Sequence, residues 1–136
     1  MPTLRQSQRQ SHGNSSDETS GTVLAEALLY LKSEWDWSSN QISQMLHIPT
    51  STINTWLQRK QIPFSDPPSP DTQAIIHLIA IHNSLHSMFE KAEHQLKWLE
   101  TPHPDMGVPP IEAIQGSIEG MIGVRQYLDY ARGRGA

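Results

Sequence analysis

The stretch Ser39 to Leu57, SNQISQMLHIPTSTINTWL, leaves the backbone few arrangements. Its apolar residues fall at Ile42, Leu46, Ile48, Ile53 and Trp56. The first two recur at helical spacing, as do the last two, and His47-Ile48-Pro49 stands between them. A helix ending at Leu46 cannot run on through Pro49, which lacks the N–H and clashes with the preceding turn. The spacing therefore predicts two short helices set near-perpendicular across a tight turn, with Ile48 plugging it. Ile42, Met45 and Leu46 form the inner face of the first, and Ile53, Trp56 and Leu57 that of the second. Ser38 or Ser39 is the expected cap of the first, and the second is expected over Thr50 to Lys60.

The rest of the chain reads as helix and breaker. Residues 1–20, MPTLRQSQRQSHGNSSDETS, hold almost no apolar side chain and are expected to be a disordered tail. Arg5 and Arg9 make that tail a candidate DNA-touching arm, with a solvated leader as the plainer reading. A helix is expected from about Thr22, its cap, to Ser33, with Leu24, Ala27, Leu28 and Leu31 inward. Trp35 and Trp37 interrupt that pattern and read as anchors of a small core. Pro63 and Asp66-Pro67-Pro68-Ser69-Pro70 form a stiff linker. The most apolar helix follows over residues 71–89, with Asp71 as its cap. Its broad band of Ile75, Ile76, Leu78, Ile79, Ile81, Leu85, Met88 and Phe89 predicts burial between other helices.

A further helix runs to about Leu99, and Thr101-Pro102-His103-Pro104 must be loop. Pro110 to Ile114 reads as a short helix. Ser117 to Ala131 reads as the last, with Ile118, Met121, Ile122, Val124, Tyr127 and Leu128 inward. No strand-length alternation occurs, so the fold class is all-α, without a sheet. The expected organisation is a tail over 1–20, a helix-turn-helix unit over 21–62, a Pro-rich linker over 63–70 and a helical domain over 71–136. Three helices of about 40 residues barely stand alone, so the 71–89 helix should pack against them or join two copies.

Several classes of chemistry are not expected. The chain has no cysteine, so disulfides and thiolate metal sites are impossible, and a reducing cytoplasm is the expected location. No apolar run of membrane-spanning length and no secretory leader is read. Neither a nucleophile elbow, a P-loop, a glycine-rich dinucleotide turn nor a His-Glu-x-x-His is present, so an enzyme is not expected, nor a cofactor. His82, His86, Glu90 and His94 lie at four-residue spacing and would form a metal-binding stripe on one continuous helix. A solvated polar face is the ordinary explanation, with His94 past a bend, and no metal is expected.

The second helix of the Ser39–Leu57 unit would expose Thr50, Ser51, Asn54, Thr55 and Gln58, short donors and acceptors suited to base edges and phosphates. Asn pairs bidentately with adenine. Arg59 and Lys60 end it where phosphates would lie. This segment resembles the phage-repressor-like (Xre) helix-turn-helix, so operator DNA is the implied partner. The family has Ala where Ser43 stands, usually Gly where His47 stands, and often Ser where Pro49 stands. The net charge of −4 argues against tight binding by one copy, because phosphate neutralisation carries much of the affinity. Residues 71–136, with five basic and eight acidic side chains, hold most of that acidity. A homodimer, placing two units about one helical turn apart on DNA, is expected.

The second half carries a further resemblance. Phe89, Lys91-Ala92, Trp98-Leu99, Pro102-His103-Pro104, Gly107, Pro110 and Glu119-Gly120 stand in the order of the C-terminal toxin-binding domain of Xre/MbcA/ParS antitoxins. His103 replaces the usual Asn and Val108 a Gly. With the helix-turn-helix before it, the resemblance covers about residues 21–131. It implies an antitoxin of a type II pair that blocks a RES-domain toxin, which consumes NAD or transfers ADP-ribose from it. It also implies repression of the shared promoter. Residues 71–136 would then be a toxin-binding and dimerisation domain. Trp98, Pro102, His103, Pro104 and Gly107 would present a rigid surface, which binds with less ordering cost. Arg132 and Arg134 of the tail would offer guanidinium groups to the toxin's NAD pocket, a frayed terminus being the alternative. The rival readings are a stand-alone helix-turn-helix repressor without a toxin, and an interaction-only protein.

Overall fold

The computed structural model describes the backbone of residues 2–135 and the side chains of residues 16–133. Among the described residues there are seven helices and no strand, as the all-α expectation requires. They are α1 (Pro2–Trp35), α2 (Ser39–Leu46), α3 (Thr50–Arg59), α4 (Pro70–Met88), α5 (Ala92–Glu100), α6 (Pro110–Gly116) and α7 (Ile118–Gly135). None of them is long and apolar enough to cross a membrane. Of the expected tail, Arg5, Arg9 and the other side chains through residue 15 lie outside the described residues.

Helix α1 is already running through residues 16–20, so Thr22 does not cap it. Its hydroxyl instead lies within donating reach of two acceptors, the Glu18 carbonyl at 2.9 Å and Gln61 Oε1 at 2.8 Å. The Ile62 N–H donates to the Gly21 carbonyl at 3.2 Å. The strand of chain leaving α3 is thereby fastened along α1. Gly21 permits that approach: a Cβ there would strike the Ile62 carbonyl and the Gln61 side chain.

Helix α2 begins with a capping box. The Gln41 N–H donates to Ser38 Oγ at 3.1 Å, and the Ser38 N–H donates to Gln41 Oε1 at 2.7 Å. It ends at His47, which adopts the left-handed conformation at φ 57° that glycine takes more easily. The ring supplies a reason for histidine at that place: Nε2 donates to the Gln115 carbonyl of α6 at 2.7 Å. Ser43 adds a second device, its hydroxyl donating to the Ile48 carbonyl and closing the turn. Ile42, Ile48 and Ile53 are fully buried, so the inner faces read from the sequence are the ones that pack. Trp56 is only partly buried.

Helix α4 is the central element, packed against α1, α2, α5 and α7. Its buried set is wider than a surface stripe and includes Ile75, Leu78, Ile79, Ile81 and Leu85 together with Thr72, His82 and Ser84. Packing of α4 against α1 meets the expectation that the small N-terminal unit leans on this helix. Its cap is Ser69, not Asp71: the Thr72 N–H donates to Ser69 Oγ at 3.3 Å, and Pro70 takes the first helical position, where a missing N–H costs nothing. Two inward assignments fail. Met88, the last residue of α4, and Ile118, the first of α7, are 40% and 42% exposed.

The polar stripe also fails. Helix α4 ends at Met88, and Phe89 to Lys91 break the line before α5. His94 therefore belongs to another helix and is exposed. His82 is not on a solvated face at all; it is 2% exposed, between Tyr30 and Trp35.

Three groups make stability depend on pH. Burial pushes His82 below its ordinary value, despite the neighbouring Glu34 carboxylate. Burial, then the Arg125 guanidinium 2.9 Å from Nδ1, does the same to His77. Burial alone would raise Glu34, but hydrogen bonds from His86, His82 and Gln95 outweigh it and hold its carboxyl below its usual value. In each case the unfolded chain binds protons more readily than the folded one. The stabilisation is present above the unfolded values, near 6.5 for the histidines and 4.5 for the carboxyl, and is lost as pH falls through the folded ones. The Tm is expected to fall by several degrees between about pH 7.5 and about pH 5, and His77→Gln should flatten the part of that decline near neutrality.

Candidate functional site

Two surfaces collect the residues singled out from the sequence. The first is the outer face of α3. Ser51, Asn54, Thr55 and Gln58 are exposed and follow one another at helical spacing, so they share one face. Thr50 is partly buried, its hydroxyl 3.4 Å from Asn40 Oδ1. The Thr55 hydroxyl donates back to the Ser51 carbonyl at 2.9 Å, leaving it less free than its neighbours to meet a ligand. Asn54, Gln58 and Arg59 have no side-chain partner among the described residues. Lys60 caps the helix in the left-handed conformation, at φ 54°, its N–H donating to the Leu57 carbonyl at 3.2 Å. Arg59 and Lys60 thus stand exposed at the helix end, as expected for phosphate contacts.

The second surface is the loop between α5 and α6 with the helices that hold it. Trp98, on α5, lies partly buried with its ring 4.6 Å from that of His103 and 6.3 Å from that of Tyr127 on α7. His103 and Tyr127 are 6.1 Å apart, so the three rings form one cluster. The loop is clasped at its root by Thr101, whose hydroxyl donates to the Lys97 carbonyl at 2.6 Å. It then turns back on itself: the N–H groups of Met106 and Gly107 both donate to the His103 carbonyl, each at 3.0 Å. Gly107 is at φ 75°, the left-handed region, which explains glycine there. Pro102 and Pro104 are exposed and stiffen the chain on both sides of His103.

A pocket of about 310 Å³ opens against this cluster, lined by Phe89, His94, Lys97, Trp98, Thr101 and His103. A second, of about 330 Å³, is lined by Asp105, Met106, Ala113, Gly120, Gly123, Val124 and Tyr127. Together they offer apolar hollows separated by an aromatic wall, the form that takes up anchor side chains from a protein partner.

Trp98, Pro102, His103, Pro104 and Gly107 are therefore brought together. Arg132 is engaged elsewhere, its Nη1 donating to the buried Ser84 Oγ on α4 at 3.1 Å. The side chain of Arg134 lies outside the described residues. Two members of the surface were not singled out from the sequence. Tyr127 falls on the apolar stripe of α7, where the sequence reads it as core, and no local pattern pairs it with Trp98. Lys97, at the pocket rim, looked like any solvated lysine.

Residues 84–134 match the family model of the antitoxin Xre/MbcA/ParS C-terminal toxin-binding domain. The matched segment runs from the end of α4 through α5, the clamped loop, α6 and α7. The match supports an antitoxin role in a toxin–antitoxin pair. Among curated proteins no match to the chain was found.

Proposed function

We propose that this chain is the antitoxin of a type II pair. Its second half binds and blocks a RES-domain, NAD-consuming toxin, and its α2–α3 unit holds operator DNA to repress the shared promoter. The observation that carries the reading is the family match over residues 84–134, which falls on the segment bearing the Trp98–His103–Tyr127 cluster and its two pockets. A rigid, Pro-braced loop beside apolar hollows suits a surface that must cover another protein's active site without ordering itself first.

The test is recovery of the chain from its native cell with whatever polypeptide accompanies it. A stoichiometric partner with NAD-consuming activity of its own, silenced by this chain, is the expected result. Trp98→Ala should weaken that complex by about thirtyfold or more, as for a buried aromatic anchor, with circular dichroism confirming that the variant folds. A chain recovered only with itself would favour the second reading, a stand-alone repressor, for which the exposed polar face of α3 speaks independently.

The DNA half of the proposal makes its own prediction. Asn54→Ala and Ser51→Ala should each cost about 1–3 kcal/mol of operator binding and relax the sequence preference. Arg59→Ala and Lys60→Ala should weaken binding to all sequences alike and lower the salt slope by about one each. Electrophoretic shifts over a salt series read both effects. Because residues 71–136 carry net negative charge, we expect operator binding only by a dimer, which sedimentation on and off DNA would detect.

A further inference from the structure

Where α1 packs against α4, three side chains converge that neither proposed interface uses. Glu34, in the last turn of α1, points its carboxylate at two imidazoles of α4. Its Oε1 lies 2.9 Å from His82 Nε2 and 3.0 Å from His86 Nδ1, and its Oε2 lies 3.1 Å from His86 Nδ1. The three donor atoms all fall within 4.8 Å of one another. Spacing of four residues puts both rings on one face of α4, and the packing of the two helices fixes the carboxylate opposite them.

We infer that Glu34, His82 and His86 form a binding site for a divalent transition-metal ion, zinc by the chemistry of its donors. Two imidazoles and one carboxylate are a common ligand set for zinc. Tetrahedral zinc with bonds of about 2.0–2.1 Å sets its ligand atoms roughly 3.4 Å apart. The observed 2.9 and 3.0 Å separations need to open by only a few tenths of an ångström. In the metal-free arrangement both rings turn an N–H toward the same carboxylate oxygen. To bind the ion, each neutral ring would carry its proton on the other nitrogen, His82 on Nδ1 and His86 on Nε2, so that the lone pairs of His82 Nε2 and His86 Nδ1 face the cation beside the carboxylate.

The surroundings hold the ligands in place. The Tyr30 hydroxyl reaches Glu34 Oε2 at 3.4 Å, and the Tyr30 ring lies against both imidazoles. Trp35 meets the His82 ring edge-on at 5.0 Å and closes the inner side. Partners that orient first ligands in this way tune metal affinity. The His82 side chain is 3% exposed while that of His86 is 47% exposed, so the site opens to solvent on one side. Water from that side fills the fourth position. Since the ligands come from α1 and α4, the ion ties the N-terminal helices to the second half. The inference does not depend on the antitoxin reading.

The experiment uses the untagged full chain, stripped with chelator and titrated calorimetrically with Zn²⁺ at neutral pH. One ion per chain at micromolar or lower concentration is expected, with a Tm raised by several degrees and a tetrahedral-type absorption band when Co²⁺ is substituted. His86→Ala, at a half-exposed position where folding should survive, should weaken binding at least tenfold, and so should Glu34→Gln. His94→Ala, on the exposed face of α5 and outside the triad, should leave the Zn²⁺ affinity unchanged. Absence of binding at micromolar Zn²⁺ would overturn the inference and leave a hydrogen-bonded triad. Binding that persists unaltered in a folded His86→Ala chain would overturn it as well, by placing the ion elsewhere.

Discussion

Gly120→Ala is expected to destabilise the chain by about 3 kcal/mol, a fall in Tm of roughly 10 °C. The usual effect of this change inside a helix is the opposite, a gain of about 1 kcal/mol from lower unfolded-state entropy and better helix propensity. What reverses the sign is α6. A Cβ at position 120 would collide with the Ala113 carbonyl oxygen, with the carbonyl carbon at 2.9 Å and Ser117 Oγ at 3.2 Å. The obstacle is backbone, which cannot rotate aside as a side chain can. Relief therefore requires α6 and α7 to separate, and their packing positions the pocket lined by Ala113, Gly120 and Tyr127. Gly123 on the same helix supplies the control. A Cβ there meets nothing within 4 Å, so Gly123→Ala should raise the Tm by a few degrees. Thermal melts of the two variants side by side check both signs, and a Gly120→Ala chain as stable as the parent would mean that α6 and α7 are not packed as described.

That contrast also shows what sequence reasoning reaches. Local features were legible because local chemistry sets them. A serine cap at Ser38 or Ser39, the break at Pro49, the proline-led start of α6 and the loop at residues 101–104 each follow from a backbone group that must be satisfied or cannot be. The apolar periods of α2 and α3 identified Ile42 and Ile53 as core. What remained hidden depends on pairs far apart in the chain. Nothing around His47 announces that its ring reaches Gln115, and nothing around Tyr127 announces Trp98. His82 and His86 are visible in the sequence as a pair four residues apart, but no local pattern brings Glu34, 48 residues from His82, to face them. The four-residue period was correct for two members and misleading for Glu90 and His94, because α4 stops between the two pairs.

Trp35→Ala is expected to cost about 4 kcal/mol, a large fraction of the stability of a domain this size. Trp35 is 2% exposed and its ring packs 4.8 Å from Trp37 and 5.0 Å from His82. Its indole N–H donates to Gln95 Oε1 at 2.8 Å, while Gln95 Nε2 donates to the Phe89 carbonyl at 2.9 Å. One side chain thus joins the end of α1 to α4 and, through a buried amide, to the start of α5. Truncation removes the packing and also orphans the Gln95 oxygen, a separate cost of about 1–3 kcal/mol. Trp35→Phe helps to separate the two contributions: it keeps an aromatic ring in the core while losing the donor and part of the indole volume, so it should cost less than Trp35→Ala. The shape of the melt carries the further information. The buried residues from Ala25 to Leu128 form one continuous core, which predicts a single transition in the parent, reported alike by Trp fluorescence and far-ultraviolet circular dichroism. Removing the residue that bridges α1 to α4 and α5 should lower that transition as a whole if the core is cooperative. Were the α2–α3 unit and the second half to melt separately in Trp35→Ala, the Trp35–Gln95 bridge would be the link that makes them one folding unit.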